Sequence, residues 1–187
     1  MARALGVLGA DILQVTVLER ETGRAVDEFI VSWPGAATPA SVRDRLSAVP
    51  GTRVEGVWPT REVPGSAPDH DLLLHVATDP ARGLATMVDA LPSLCGGEWA
   101  LALADGVVRH SSPAAPLAFD LEELPPRATS LVKGEHRLMV LPVTSGATHV
   151  VVARCDGPPF HRAELDRTAR IVEIVSRMTA RFEPVAD

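Results

Sequence analysis

One stretch of ten residues, Pro59-Thr60-Arg61-Glu62-Val63-Pro64-Gly65-Ser66-Ala67-Pro68, constrains the fold more than any other feature. Its three prolines remove backbone donors and kink or break a helix interior, and no apolar periodicity runs through it. It reads as a linker. The chain is therefore expected to divide into a small unit over residues 1–59, a linker over 60–68 and a larger unit over 69–187. A length of 187 residues suits one ordinary domain or two small ones.

In the first unit, Ala4, Leu5 and Leu8 recur at helical spacing, and Gly9 stands where a helix C-terminal cap belongs. Ile12–Arg20 alternates as a strand, with Leu13, Val15 and Val17 on one face and Gln14 and Thr16 on the other. Glu21-Thr22-Gly23-Arg24 makes a tight connection to a second strand, Ala25–Trp33, with Phe29, Val31 and Trp33 sharing a face. Thr38 and Pro39 open a helix lined by Val42, Leu46 and Val49, Gly51 ends it, and Thr52–Trp58 is predicted as a third strand.

The order α-β-β-α-β is one strand short of the ferredoxin-like β-α-β-β-α-β unit. With that strand restored upstream, the segment resembles an ACT domain, a small amino-acid-sensing module. Leu8-Gly9-Ala10-Asp11-Ile12 matches the family's helix-to-strand turn. Val15-Thr16-Val17-Leu18-Glu19 and Gly23-Arg24-Ala25-Val26-Asp27-Glu28-Phe29 match its hairpin. The resemblance implies an effector site at Gly9, Ala10, Asp11 and Ile12, an amino acid as effector, and edge-to-edge homodimers. The family's first strand has no counterpart. One reading places the coding start farther upstream, because a helix that opens without a cap leaves backbone N–H groups unsatisfied. The other leaves a gap in the sheet for something else to fill.

In the second unit, Leu72–Val76 reads as a strand or the start of a helix, and Asp79-Pro80 opens a helix with a stripe of Leu84, Met87, Val88 and Leu91. Gly96-Gly97 stops it. Trp99–Ala104 and Val107–His110 are predicted to pair about Asp105-Gly106. A proline-rich stretch follows, with a weak helix at Asp120–Leu124. Arg137–Val143 and Thr148–Arg154 form a second hairpin about Ser145-Gly146-Ala147, and a helix over Arg162–Phe182 closes the chain. Its predicted core face holds Leu165, Thr168, Ala169, Val172, Val175 and Phe182. Val150-Val151-Val152-Ala153-Arg154, then Gly157-Pro158-Pro159-Phe160 and Glu164-Leu165, resembles the end of a GAF-like sensor domain, and a PAS or profilin-like sheet has nearly the same pattern. The fold class expected is α+β: an incomplete ferredoxin-like (ACT) unit and a GAF/PAS-like antiparallel sheet flanked by helices. The GAF resemblance implies a cavity between sheet and insert, near Trp99, Arg109, His110 and Phe119.

Little in the chain points to catalysis. The six histidines and two cysteines never fall in CxxC, HxxxH or HExxH spacing, so no metal is expected. Asp69-His70-Asp71 reads as a solvated turn. Cys95 sits at a helix C-terminus, where the dipole raises rather than lowers a thiol pKa. Ser130-Leu131-Val132-Lys133 has the SxxK spacing of serine–lysine acyl enzymes without their companion motifs. Glu122-Glu123 reads as a solvated helix face. The 17 arginines stand against a single lysine, Lys133, and no phosphate-binding GxxxxGK[ST] loop occurs. A net charge of −6 argues against nucleic acid, and no run approaches the roughly 20 apolar residues that cross a bilayer. Two cysteines and no secretory leader pattern suit the cytoplasm. The expectation is a cytoplasmic, non-catalytic regulatory protein without cofactor, binding a small-molecule effector, with a protein-interaction scaffold as the alternative.

Overall fold

The computed structural model of the protein describes residues 1–21, 23–33, 35, 37–60, 65–119, 121, 123–143, 147–155 and 157–180. The chain separates into two units, Met1–Ser66 and Ala67–Asp187.

The first unit contains α1 (Ala2–Val7), the antiparallel strands β1 (Asp11–Glu21) and β2 (Arg24–Ser32), and α2 (Pro39–Ser47). Thr38 caps α2 as expected: its Oγ1 accepts from Ser41 N at 3.2 Å, while Thr38 N donates to Ser41 Oγ at 3.1 Å. Leu5, Ala10, Val42 and Leu46 form a small core, joined by Leu8, Ile12, Phe29, Val31 and Trp33.

One expectation fails in this unit, and one apolar row is left largely uncovered. Thr52–Trp58 is not a strand. Val54 and Val57 both turn to the core, and residues three apart on a pleated strand face opposite ways, so regular β-structure cannot bury both. The apolar row of β1 is also not its buried side. Leu13, Val15 and Val17 are each about half exposed. Val15 pairs with Phe29 and Val17 with Asp27, so the cover supplied by the helices reaches Phe29 and goes no farther along β1. On the opposite face Gln14 pairs with the buried Ile30, and Gly65 N donates to Gln14 Oε1.

The second unit opens with α3 (Pro68–Thr78), so the helical alternative holds for Leu72–Val76. A 3-10 turn at Pro80–Arg82 leads into α4 (Gly83–Cys95), which ends on Gly96 in the left-handed region. Five strands follow: β3 (Trp99–Ala104), β4 (Val107–Ser111), β5 (Thr129–Lys133), β6 (His136–Pro142) and β7 (Thr148–Arg154), then α5 (Arg162–Thr179). They form one antiparallel sheet in the order β4-β3-β7-β6-β5. The β3–β4 turn is the one expected at Asp105-Gly106, both with positive φ (52° and 76°), as a two-residue hairpin of this hand requires. Strand β5 was not anticipated. Leu121, Glu123 and Leu124, the described residues of the expected weak helix, are not helical, and Asp120 and Glu122 lie outside the described residues. Ser145-Gly146 and Phe182 lie outside them too.

The three inner strands read as unbroken apolar runs because both faces are covered. Ala100, Ala102, Met139, Leu141, Val150 and Val152 pack under Leu72, Val76, Met87, Val88, Leu91, Ile171, Val172 and Val175 of the helices. Trp99, Leu101, Leu103, Leu138, Val140, Val151 and Ala153 face Ala115, Phe119, Leu121 and Leu124 of the insert between β4 and β5.

The helical layer is close-packed around one glycine. A Cβ built on Gly83 would stand 2.4 Å from Thr179 Cγ2 and 3.0 Å from Val76 Cγ1. Alanine suits the helical backbone there and is favoured over glycine by about 1 kcal/mol, but overpacking costs about 1–3 kcal/mol. Gly83→Ala is therefore expected to lower stability on balance, and Gly83→Ala with Thr179→Ser to recover most of the loss. Urea unfolding of the three variants measures this.

Candidate functional site

The turn Gly9-Ala10-Asp11-Ile12 has a complete local explanation. Ala10 N donates to Leu5 O (3.0 Å) and Gly9 N to Gly6 O (3.0 Å), the bond pair of a Schellman motif, with Gly9 at φ 80°. Ala10 and Leu5 complete it with the usual apolar contact inside the core. Asp11 is exposed and pairs with Ser32, and Ile12 packs against the core. The half-exposed row of Leu13, Val15 and Val17 continues from this turn along β1.

In the second unit, Trp99 and Phe119 do come together beneath the insert. Their rings lie edge to face, 5.2 Å apart, and Trp99 is buried. His136 meets Trp99 at 5.7 Å, and Lys133 Nζ lies 5.7 Å from the Phe119 centroid. His110 belongs elsewhere. It pairs with Ala102 on the helix-covered face, and its Nε2 lies 2.9 Å from Asp89 Oδ1 of α4. Arg109 falls at a register shift in β4 and is exposed. The four residues thus divide between the two faces of the sheet, because a bulge reverses the alternation along β4.

The remaining motifs resolve as structure. Asp69-His70-Asp71 lies in the first turn of α3 rather than in a solvated turn. Asp69 holds Arg167 of α5 by two bonds of 2.8 and 2.7 Å. Ser130 and Lys133 stand three apart on β5, so they face opposite sides of the sheet and cannot act as nucleophile and base. Among the described residues no group of three or more His, Cys, Asp or Glu side chains is placed to hold a metal ion. Also among them, no helix is long and apolar enough to cross a membrane.

Three polar side chains, the buried His149 and Arg154 and the half-buried Arg137, went unnoticed in the sequence. His149 lies on the insert-covered face and its Nε2 is 3.1 Å from Pro125 O; a carbonyl only accepts, so Nε2 is the donor. Arg154, at the end of β7, donates through Nη2 to Cys95 O (2.6 Å) and to Glu164 Oε1 (2.5 Å), and its guanidinium lies 3.9 Å from the Phe160 ring centroid. Glu164 Oε2 accepts from His161 N at 2.7 Å. Arg137 of β6 donates to Glu135 O and Cys155 O. The signal was register: Arg154 follows Val150 and Val152 at period 2, which puts a cation on a face those valines mark as buried.

Cys95 is a second correction, in cause rather than direction. Burial pushes its thiol up from 9.0 to about 11, against the pull of Thr168 (Oγ1 at 3.4 Å) and Arg167. Between these values the unfolded chain loses a proton that the folded chain keeps, so stability falls as pH rises from about 9 to about 11. Two pKa units correspond to roughly 2–3 kcal/mol. With no tyrosine and one lysine, few other groups titrate in that window. Urea unfolding at pH 8 and pH 11 is expected to show the drop in the native chain and a much smaller one in Cys95→Ala.

Neither models of known protein families nor curated proteins yield a match to this chain.

Proposed function

We propose that the chain is a non-catalytic regulatory protein: an ACT-like first unit that binds a small-molecule effector, an amino acid, where two copies meet, and a GAF-like second unit. The observation that supports this most is the half-exposed apolar row of Leu13, Val15 and Val17, which starts at the Gly9–Ile12 turn. A two-stranded sheet is marginal in water by itself, and an apolar strip on its longer strand favours association with another copy. An effector bound beside the turn would then be enclosed by two copies and would bias their association. The arrangement of the second unit, with helices on one face of an antiparallel sheet and an insert on the other, suits the sensor architecture that the resemblance implies.

The test is assembly and heat. Light scattering of the native chain is expected to give a dimer, and Val15→Asp with Val17→Asp a monomer whose helical content is unchanged. Calorimetry against the twenty amino acids is expected to give a binding signal that Gly9→Val removes. A monomeric native chain sinks the association half of the reading. Absence of heat with every amino acid sinks the effector half. The Schellman motif favours a second reading, a scaffold without ligand, because it explains Gly9 and Ala10 by local bonding alone. A dimer that binds no amino acid is what that reading expects.

A further inference from the structure

Arg137 of β6 and Arg154 of β7 are direct cross-strand partners. Alternation puts both on the helix-covered face, in register with Met139 and Val152. Like charges directly opposite one another destabilise a sheet unless something balances them. The carboxylate that meets this pair is already divided: Glu164 takes Arg154 through Oε1 and the His161 backbone N–H through Oε2. Glu98, at the same corner, accepts from Cys155 N at 2.9 Å. Arg137 is left with neutral acceptors among the described residues, Glu135 O at 2.6 Å and Cys155 O at 3.4 Å. Each guanidinium also holds a buried Nε–H without a partner, and a third such side-chain atom among the described residues is His149 Nδ1. Buried donors are nearly always satisfied, so two orphans on neighbouring arginines mark a set of acceptors that is incomplete.

We infer that Arg137 anchors an oxyanion site in the second unit, taking the carboxylate or phosphate group of a small molecule with Arg154 behind it. A guanidinium is a planar fork of donors that matches two oxygens of such a group. Arg154 is the fixed member, stacked on Phe160 and bonded to Cys95 O and Glu164. Arg137 is the less firmly held: it is half-buried, and its 3.4 Å bond to Cys155 O is the weaker of its two. Its Nε–H is sealed by protein atoms, so the fork engages an anion by turning outward off Cys155 O. That turn gives the orphaned donor a partner and brings a negative charge to the outer side of the arginine pair. The site does not depend on the effector reading of the first unit.

Inorganic phosphate and sodium acetate, each titrated into the full chain against sodium chloride of equal ionic strength, separate the two sources of oxyanion. Phosphate, acetate or both are expected to raise the unfolding temperature above the chloride control. In the native protein, two arginine Nε–Hε resonances in the nitrogen–proton spectrum are expected to shift with the same concentration dependence. Arg137→Gln is expected to abolish both effects, and Arg137→Lys, which keeps the charge without the fork, to weaken binding about tenfold. The inference is overturned if neither anion exceeds chloride, if no Nε–Hε resonance moves, or if the effect survives in Arg137→Gln. Should Arg137→Gln fail to fold, the titration of the native spectrum decides alone.

Discussion

Glu164→Ala is expected to destabilise the second unit by about 3–5 kcal/mol, the cost of leaving a buried charge without its partner. Arg154 is 5% exposed, and without Glu164 it keeps, among the described residues, only the Cys95 carbonyl as an acceptor. The same change removes the bond from His161 N that fixes the start of α5, so α5, α4 and the end of β7 lose a common tie. At about 4 °C per kcal/mol for a domain of this size, the midpoint should fall by roughly 12–20 °C. Replacing both members, Arg154→Met with Glu164→Leu, should recover much of that loss, since an apolar pair of similar volume carries no desolvation penalty. A double-mutant cycle by chemical unfolding of the full chain measures the coupling. An additive cycle would show that the 2.5 Å contact contributes nothing of its own.

Trp99→Ala is expected to cost a similar amount, about 3–5 kcal/mol, by removing the largest side chain between sheet and insert. Trp99 touches Phe119 of the insert and His136 of β6, and it shares its cluster with Leu121 and Leu124. Few regular backbone bonds tie the insert to the sheet, so its position rests on side-chain burial and on the His149–Pro125 contact. Amide exchange should therefore rise first over residues 113–128, ahead of the inner strands, whose bonds lie within the sheet. Uniform acceleration across the whole unit would show instead that the insert and the sheet open together.

The two halves of the molecule differ in how much of them the sequence disclosed. Elements marked by local chemistry were legible: the Thr38-Pro39 helix opening, the Asp105-Gly106 hairpin, the stop at Gly96, and the stripe of Met87, Val88 and Leu91. Each of these depends on residues within one or two turns of chain. Elements that depend on what lies opposite were not. Thr52–Trp58 has β-prone residues, yet Val54 and Val57 find the same core and hold the segment out of a ladder. Strand β5 carries weak alternation of its own and exists because β6 presents a free edge for it. The site residues followed the same rule. Trp99 and Phe119, both large and apolar, met in one cluster, whereas a register shift in β4 carried His110 to the other face.

What the sequence by itself determined is the turn chemistry and the face of each helix that is apolar. These follow from backbone sterics and from the periods of helix and strand, which act over a few residues. Only the tertiary structure decided which apolar surface is covered. Leu13, Val15 and Val17 are as apolar as the buried valines of β7, yet each is left about half exposed. It also decided that Arg137 and Arg154, on separate strands, stand side by side with one carboxylate shared between Arg154 and a helix cap. Burial and charge pairing are properties of what packs opposite, and that is fixed by residues far away in the chain.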